Sequence, residues 1–175
     1  PRRDNGTDVA VRRFPMGVPQ PVLAAQFSGR IALTRYLTPT GSRPYEPATL
    51  AIEKPVFAHV EAGRIIDFQG APDIVKRIRM HYRLVSDKYS IDPDAVHSWH
   101  AGIHPGCAYE SDADRDPDHW SNTVFQNPRF LHFHTCGTYP PGEICWMVLD
   151  HTVVVDGKNL WENGRLCVNS FAGLR

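Results

Sequence analysis

The pattern of hydrophobic and polar positions predicts one clear helix, over about residues 72–89. Pro72 suits the first turn, where its missing N–H costs nothing, and Asp73 complements the positive end of the helix dipole. Apolar residues then recur at spacings of three and four, which places them on one helical face. The residues of this face are Ile74, Ile78, Tyr82, Val85 and Tyr89.

Alternating and β-rich segments predict a substantial sheet beside this helix. Residues 56–60 alternate in a strand pattern, and the "EAG" that follows predicts a three-residue turn in which Gly63 adopts a positive φ. Segments 129–135, 143–149 and 152–157 are rich in aromatic and β-branched residues, as strands are. The pattern therefore predicts the α+β class, with a mixed, largely antiparallel sheet and one main amphipathic helix.

The remaining segments predict less regular structure. Residues 1–20 contain several prolines and little periodicity, which predicts an N-terminal arm that is loose or lies on a partner. A single domain over residues 21–175 follows, and residues 22–37 predict two short strands that meet near Ser28 and Gly29. Residues 92–107 predict a short helical turn followed by a loop, and a further helical turn is predicted around Trp120.

Composition limits the classes of protein that this chain can belong to. The 19 basic and 19 acidic residues balance, which argues against a general nucleic-acid-binding protein. The sequence has no run of about 18 apolar residues, so it predicts no membrane span. The first residues lack the apolar region of a signal peptide. The four cysteines have no C-x-x-C spacing, so we expect free thiols and a cytoplasmic location.

The segments "FLHFHT" and "EICWMVL" carry the first candidate chemistry. On strands, His132 and His134 share one face, and so do Glu143 and Cys145, because side chains alternate. Imidazole, carboxylate and thiolate groups are all ligands of transition metals. A solvated or hydrogen-bonded sheet face gives the same pattern, so both interpretations stay open.

A second candidate cluster lies in "HSWHAGIHPGC", with His97, His100, His104 and Cys107. If this segment were helical, His97 and His100 would share a face. Gly102 and Pro105 interrupt any regular element there. Metal ligation and ordinary hydrogen bonding of loop histidines both remain open for this segment.

The order of segments resembles a known family. "PVFAHVEAGRIIDFQG", the helix, "SWHAGIHP", "RFLHFHTCG" and "GEICWMVLDHTVVVDG" follow one another as in the C-terminal domain shared by 2,5-dihydroxypyridine 5,6-dioxygenases and M29 metallo-aminopeptidases. The resemblance covers roughly residues 22–166. It implies a stand-alone C-terminal domain, without the N-terminal α/β domain of those enzymes, and a homodimer.

The resemblance also implies altered metal ligands. In the dioxygenases, iron is held by a histidine just before a G-[LI]-x-P stretch and by an H-x-D pair on a later strand. Here the first position carries Ser98, with His97 adjacent, and the pair is Glu143 and Cys145. The two imidazoles and one carboxylate of a non-heme iron site are therefore not in place.

Because these iron ligands are altered, the sequence favours a binding protein over an enzyme. We expect a non-catalytic domain without a metal cofactor that binds a peptide or a small aromatic ligand. In its size and missing ligands the chain also resembles crocagin-type peptide-binding proteins, which implies that it would present a ribosomal precursor peptide to a partner biosynthetic enzyme. The expected ligand-binding residues are His97, Ser98, His100, His132, His134, Glu143 and Cys145.

Two alternatives accompany this prediction. The first is a metalloenzyme, either a ring-cleaving dioxygenase or an aminopeptidase-like hydrolase, with iron or zinc held by a rebuilt ligand set. The candidate ligands are His97, His132, His134 and Glu143. The second is a structural or assembly module, whose function is its interface.

Overall fold

The computed structural model describes residues 2–4, 7–9, 22–39, 44–102, 115 and 126–167. Within these residues the chain forms one helix, α1 (Pro72–Tyr89), and fourteen strands. The strands are β1 (Arg2–Asp4), β2 (Thr7–Val9), β3 (Val22–Leu23), β4 (Gly29–Leu33), β5 (Tyr36–Thr38), β6 (Leu50–Ala51), β7 (Val56–Glu61), β8 (Arg64–Gln69), β9 (Val96–Ala101), β10 (Phe130–Cys136), β11 (Glu143–Leu149), β12 (Val153–Val155), β13 (Lys158–Glu162) and β14 (Arg165–Leu166). The predicted α+β class is confirmed.

The largest sheet has six strands in the order β3-β9-β10-β11-β5-β6. A three-stranded sheet, β4-β7-β8, lies beside it, and β12-β13-β14 form another. Neighbouring strands in the six-stranded sheet all pair antiparallel, as predicted. The central strands β10 and β11 pair along seven residues each, so this pair has the longest fixed register in the sheet.

Helix α1 has the bounds that the sequence predicts, and it ends where Ser90 takes a left-handed conformation, with φ of 54°. Four residues of its predicted apolar face are buried, Ile74, Ile78, Tyr82 and Val85, together with His81 and Ser86, and Tyr89 is partly buried. This face packs in one core with residues of the three-stranded sheet, such as Val56, and of the six-stranded sheet, such as Trp146. Burial of each large apolar side chain stabilises the fold by about 1.5–3 kcal/mol. One face of the six-stranded sheet is thereby occupied by the core, and the other carries the polar residues described below.

The β7–β8 hairpin fixes the start of β9. Its turn consists of Ala62 and Gly63, with φ of 45° and 73°, as in a two-residue type I′ turn, and Glu61 is the last residue of β7. The predicted three-residue turn is therefore one residue too long. A Cβ at residue 63 would lie 2.7 Å from the carbonyl oxygen of Ala24, and the Gly63 carbonyl accepts a hydrogen bond from the N–H of Val96. Both the positive φ of residue 63 and the close approach of the Ala24 carbonyl oxygen require glycine here.

Residues 96–101 form strand β9, which the prediction of a helical turn followed by a loop over residues 92–107 missed. The main chain of β9 pairs with β10 on one side and β3 on the other, and this pairing outweighs the weak local preference for a turn. The prediction of two strands in residues 22–37 is wrong as well, because three strands form there, in two different sheets. Residues 2–4 and 7–9 pair as β1 and β2 within the predicted arm. The helical turn predicted around Trp120 lies outside the described residues.

Two sequence expectations concern the environment of the chain. In the part of the chain described above, no helix is long and apolar enough to cross a membrane. The described cysteines Cys136, Cys145 and Cys167 are free thiols, as predicted.

Candidate metal centre

The register of three strands brings the predicted polar residues to one face of the sheet. His132 on β10 lies opposite His100 on β9, and His134 lies opposite Ser98 on β9 and Cys145 on β11. Directly opposed residues point to the same side of an antiparallel pair. The intervening residues Phe133 and Trp146 belong to the core on the other side.

Three imidazole rings form the centre of this polar face. The ring centroids of His100 and His132 are 3.8 Å apart, and those of His132 and His134 are 5.2 Å apart. The Nε2 atoms of His100 and His134 lie 2.6 Å apart, which is a hydrogen-bond contact between two ring nitrogens. One donor nitrogen from each of the three rings lies within 4.8 Å of the other two.

Glu143 orients His134 from the opposite side of the ring. Its Oε1 atom contacts Nδ1 of His134, and the carboxyl group is buried. In a neutral imidazole that donates its Nδ1–H to this carboxyl group, the lone pair is on Nε2, the atom that faces His100. A carboxylate that holds the second nitrogen of a histidine is the usual support of a metal-binding imidazole.

Cys145 is a further candidate donor near His134. Its Sγ atom lies 3.6 Å from Nδ1 of His134, and the residue is fully buried. His134, Glu143 and Cys145 therefore form a second group of potential ligand atoms within 4.8 Å. This group uses Nδ1 of His134, whereas the contact with His100 uses Nε2. The two groups therefore lie on different sides of one imidazole ring.

Burial gives the three-histidine group its electrostatic character. His132 has no solvent exposure, and His100 is 7% exposed. Desolvation lowers the pKa of His132 well below its ordinary value, and the neighbouring imidazoles of His100, His134 and His151 lower it further. A neutral imidazole keeps a lone pair for an ion, so this environment favours the form that binds metals. His134 and Ser98 are only partly buried, and they mark the side of the cluster that solvent reaches.

His97 lies apart from this cluster. It occupies an irregularity in β9, between the pairs Ser98–His134 and Val96–Thr135. Its Nε2–H donates to the carbonyl oxygen of Cys136 at 2.8 Å. The expectation that His97 and His100 share a helical face is wrong, because the segment is a strand.

The structure thus brings together most of the residues singled out in the sequence. His100, His132 and His134 form one group, and His134, Glu143 and Cys145 form a second group that shares His134 with the first. Ser98 lies opposite His134. Among the metal ligands proposed from the sequence, His100 takes the place expected for His97. His104 and Cys107 lie outside the described residues. A strand assignment for 96–101 would have selected His100, since it would then share its face with Ser98 rather than with His97.

The three imidazoles fit a divalent transition metal. Metal–nitrogen bonds of about 2.0–2.1 Å place tetrahedral ligand atoms about 3.3 Å from one another. The ring nitrogens at 2.6 Å and within 4.8 Å bracket this value, so metal binding would change the nitrogen–nitrogen distances by up to about 1.5 Å. Three histidines with a fourth position open are a known ligand set of catalytic zinc, and imidazole also suits iron.

The comparisons with known proteins show a distant likeness of fold. No family model and no curated protein matches the chain. Among solved structures, the fold is similar to that of 2,5-dihydroxypyridine dioxygenase from Pseudomonas putida KT2440, with a TM-score of 0.60 and 13% sequence identity. The match covers 81% of this chain and 40% of that enzyme, so the chain spans well under half of the enzyme's length. The dioxygenase part of the predicted resemblance is thus supported as a similarity of fold.

Proposed function

We propose that this chain is a metal-dependent domain that binds one divalent transition metal on His100, His132 and His134, with Zn²⁺ as the preferred ion. The observation that carries the proposal is the double contact of His134. One ring nitrogen contacts Glu143, and the other lies 2.6 Å from the donor nitrogen of His100. This arrangement fixes the tautomer that a ligand histidine needs.

Burial is consistent with a metal site. The buried His132 imidazole is kept neutral, because desolvation lowers its pKa, and a neutral imidazole has a lone pair for an ion. When bound, the ion would supply Lewis-acid chemistry toward a ligand in an open coordination position.

The chain's own residues would act on a substrate from the accessible side. Ser98, opposite His134, is partly exposed and offers a hydroxyl group as hydrogen-bond donor or acceptor. Met147 is fully buried and Phe130 is 2% exposed. Both pack with Cys145 on the same face of the sheet and exclude water from the far side of the cluster.

The choice of metal separates two kinds of chemistry. Three imidazoles, with the carboxyl group behind His134, favour zinc and hydrolytic chemistry. The fold resembles a dioxygenase, which favours iron and oxygen chemistry. Peptide binding, presentation to a partner enzyme and a homodimer, all expected from the sequence, stay predictions.

The test is a metal titration of the stripped protein against a chromophoric chelator. The wild type should take up one equivalent of Zn²⁺, and His100→Gln and His134→Gln should each lose this site. His97→Gln is the matched control, since His97 lies in the same strand but bonds to Cys136. The proposal would be refuted if the two ligand variants took up as much Zn²⁺ as the wild type. If the wild type bound Fe²⁺ more tightly than Zn²⁺, the assigned metal would be iron.

A further inference from the structure

Five directly opposed residues form one row across the six-stranded sheet. Leu23 on β3 lies opposite Ser98 on β9, and Ser98 lies opposite His134 on β10. On the other side of His134, the row continues through Cys145 on β11 to Thr38 on β5. Because directly opposed residues point to the same side of an antiparallel pair, all five side chains lie on the face that carries the histidine cluster.

Solvent exposure falls along this row from β3 to β5. Leu23 is 82% exposed at the edge of the sheet, the His134 side chain is 13% exposed, and Cys145 and Thr38 are buried. Ser98, which lies between Leu23 and His134, is partly exposed. The histidine cluster is therefore closed on the side of β11 and β5, and it opens on the side of β3. A molecule that approaches His134 along this row passes Leu23 and Ser98 first.

The apolar side chain of Leu23 contributes little to the core, because most of its area stays in water. Its neighbour Val22 lies opposite Trp99, which packs against the core on the other face of the sheet. Single exposed leucines are common on protein surfaces. Leu23 differs from them because it lies in the row that leads to His134, so its apolar area is available to a molecule bound there.

We propose that Leu23 determines the substrate class of the histidine cluster, an inference that rests on the proposed metal-dependent function. The substrate is amphipathic: its polar end binds at the ion and hydrogen-bonds to Ser98, and its apolar group packs on Leu23. Neighbouring strands are about 4.8 Å apart, so Leu23 is roughly 5 Å from Ser98 and 10 Å from His134 across the sheet. The apolar group is therefore an unbranched chain of about four to seven carbon atoms, or one ring, next to the polar end.

The test compares two hydroxamates that bind zinc through the same group, by isothermal titration calorimetry of the zinc-loaded protein. Acetohydroxamate carries only a methyl group, whereas hexanohydroxamate carries a five-carbon chain that reaches toward Leu23. Hexanohydroxamate should bind the wild type about tenfold more tightly, because contact with Leu23 removes part of its chain from water. The zinc content of each sample is measured first by titration with a chelator.

Two variants complete the test. Leu23→Ser should reduce the preference for hexanohydroxamate to within about twofold. Leu84→Ser is the matched control and should keep the preference, since Leu84 is 42% exposed on helix α1, which packs on the other face of the sheet. Equal binding of the two hydroxamates by zinc-loaded wild type, or an undiminished preference in Leu23→Ser, would overturn the role of Leu23 alone. A wild type that takes up no zinc would overturn the proposed function as well.

Discussion

The Nε2 atoms of His100 and His134 lie 2.6 Å apart across strands β9 and β10. At this distance the N–H group of one ring donates a hydrogen bond to the nitrogen of the other. If a metal ion were bound here, both nitrogens would instead direct a lone pair at the ion. Metal binding would therefore replace a hydrogen bond by two stronger bonds. This relationship connects the register of the sheet to the proposed function.

Zinc should stabilise the folded protein, because the unfolded chain lacks the assembled site. At a free concentration of about 100 times Kd, binding adds about 2.7 kcal/mol. For a domain of this size, that raises Tm by roughly 5–10 °C. Thermal unfolding followed by circular dichroism should show the rise, and a chelator should reverse it. An equal rise in His100→Gln would mean that zinc binds elsewhere.

Glu143→Gln should weaken zinc binding about 10- to 100-fold without abolishing it, because the three imidazoles remain while the support of His134 is weakened. Thr38→Val is the matched control, since Thr38 is buried and lies opposite Cys145 in the register of β5 and β11. Competition with a chelator measures both affinities. Complete loss in Glu143→Gln would make the carboxylate a ligand itself, and an unchanged affinity would remove it from the site.

Cys145→Ala should leave the affinity for zinc within about threefold of the wild type, because its sulfur lies 3.6 Å from the nitrogen of His134 that faces away from His100. The wild type loaded with Co²⁺ should lack the near-ultraviolet band of a thiolate ligand. A strong thiolate band that disappears in Cys145→Ala would move the ion to the group formed by His134, Glu143 and Cys145.

Stability should fall in acid partly through His81. Its pKa is about 4 in the folded state and about 6.5 in the unfolded state, so between these values the unfolded chain binds more protons. Stability is therefore lost as the pH falls from about 6.5 to 4, by an amount on the order of 3 kcal/mol. Urea unfolding across this range should show a smaller pH dependence in His81→Leu. Identical slopes would mean that His81 is hydrated in the folded state.

Tyr82→Phe should destabilise the core by about 1–3 kcal/mol. The Tyr82 hydroxyl accepts a hydrogen bond from Nε1 of Trp146 at 2.6 Å and also bonds to Thr135, and both partners are buried. Tyr89→Phe is the comparison, because its hydroxyl bonds to the carbonyl of Pro44 in a less buried place and should matter less. Urea unfolding at neutral pH measures both, and equal losses would contradict this ranking.

Local pattern was sufficient for the elements that it specifies strongly. The helix has the predicted bounds because its apolar spacing and Pro72 act within one segment. The alternation in β10 placed His132 and His134 on one face of that strand. The alternation in β11 likewise placed Glu143 and Cys145 on one face of the neighbouring strand. These residues were found from the period of two alone.

The rest depends on contacts between distant segments. Strand β9 is defined by pairing with β3 and β10, and local sequence around Gly102 suggests a break instead. For this reason the sequence favoured His97 as a metal ligand, although His100 lies opposite His132. His81 lies three residues after Ile78 on the helix, so the helical period could have identified it as buried. The His81 ring lies edge-on against that of Tyr45, which no local pattern connects to the helix.

X-ray absorption spectroscopy of the zinc-loaded wild type tests the central claim most directly. The account predicts three imidazole nitrogens at about 2.0–2.1 Å, with the outer-shell scattering of histidine rings and no sulfur at about 2.3 Å. A sulfur shell, or zinc without imidazole scattering, would contradict it.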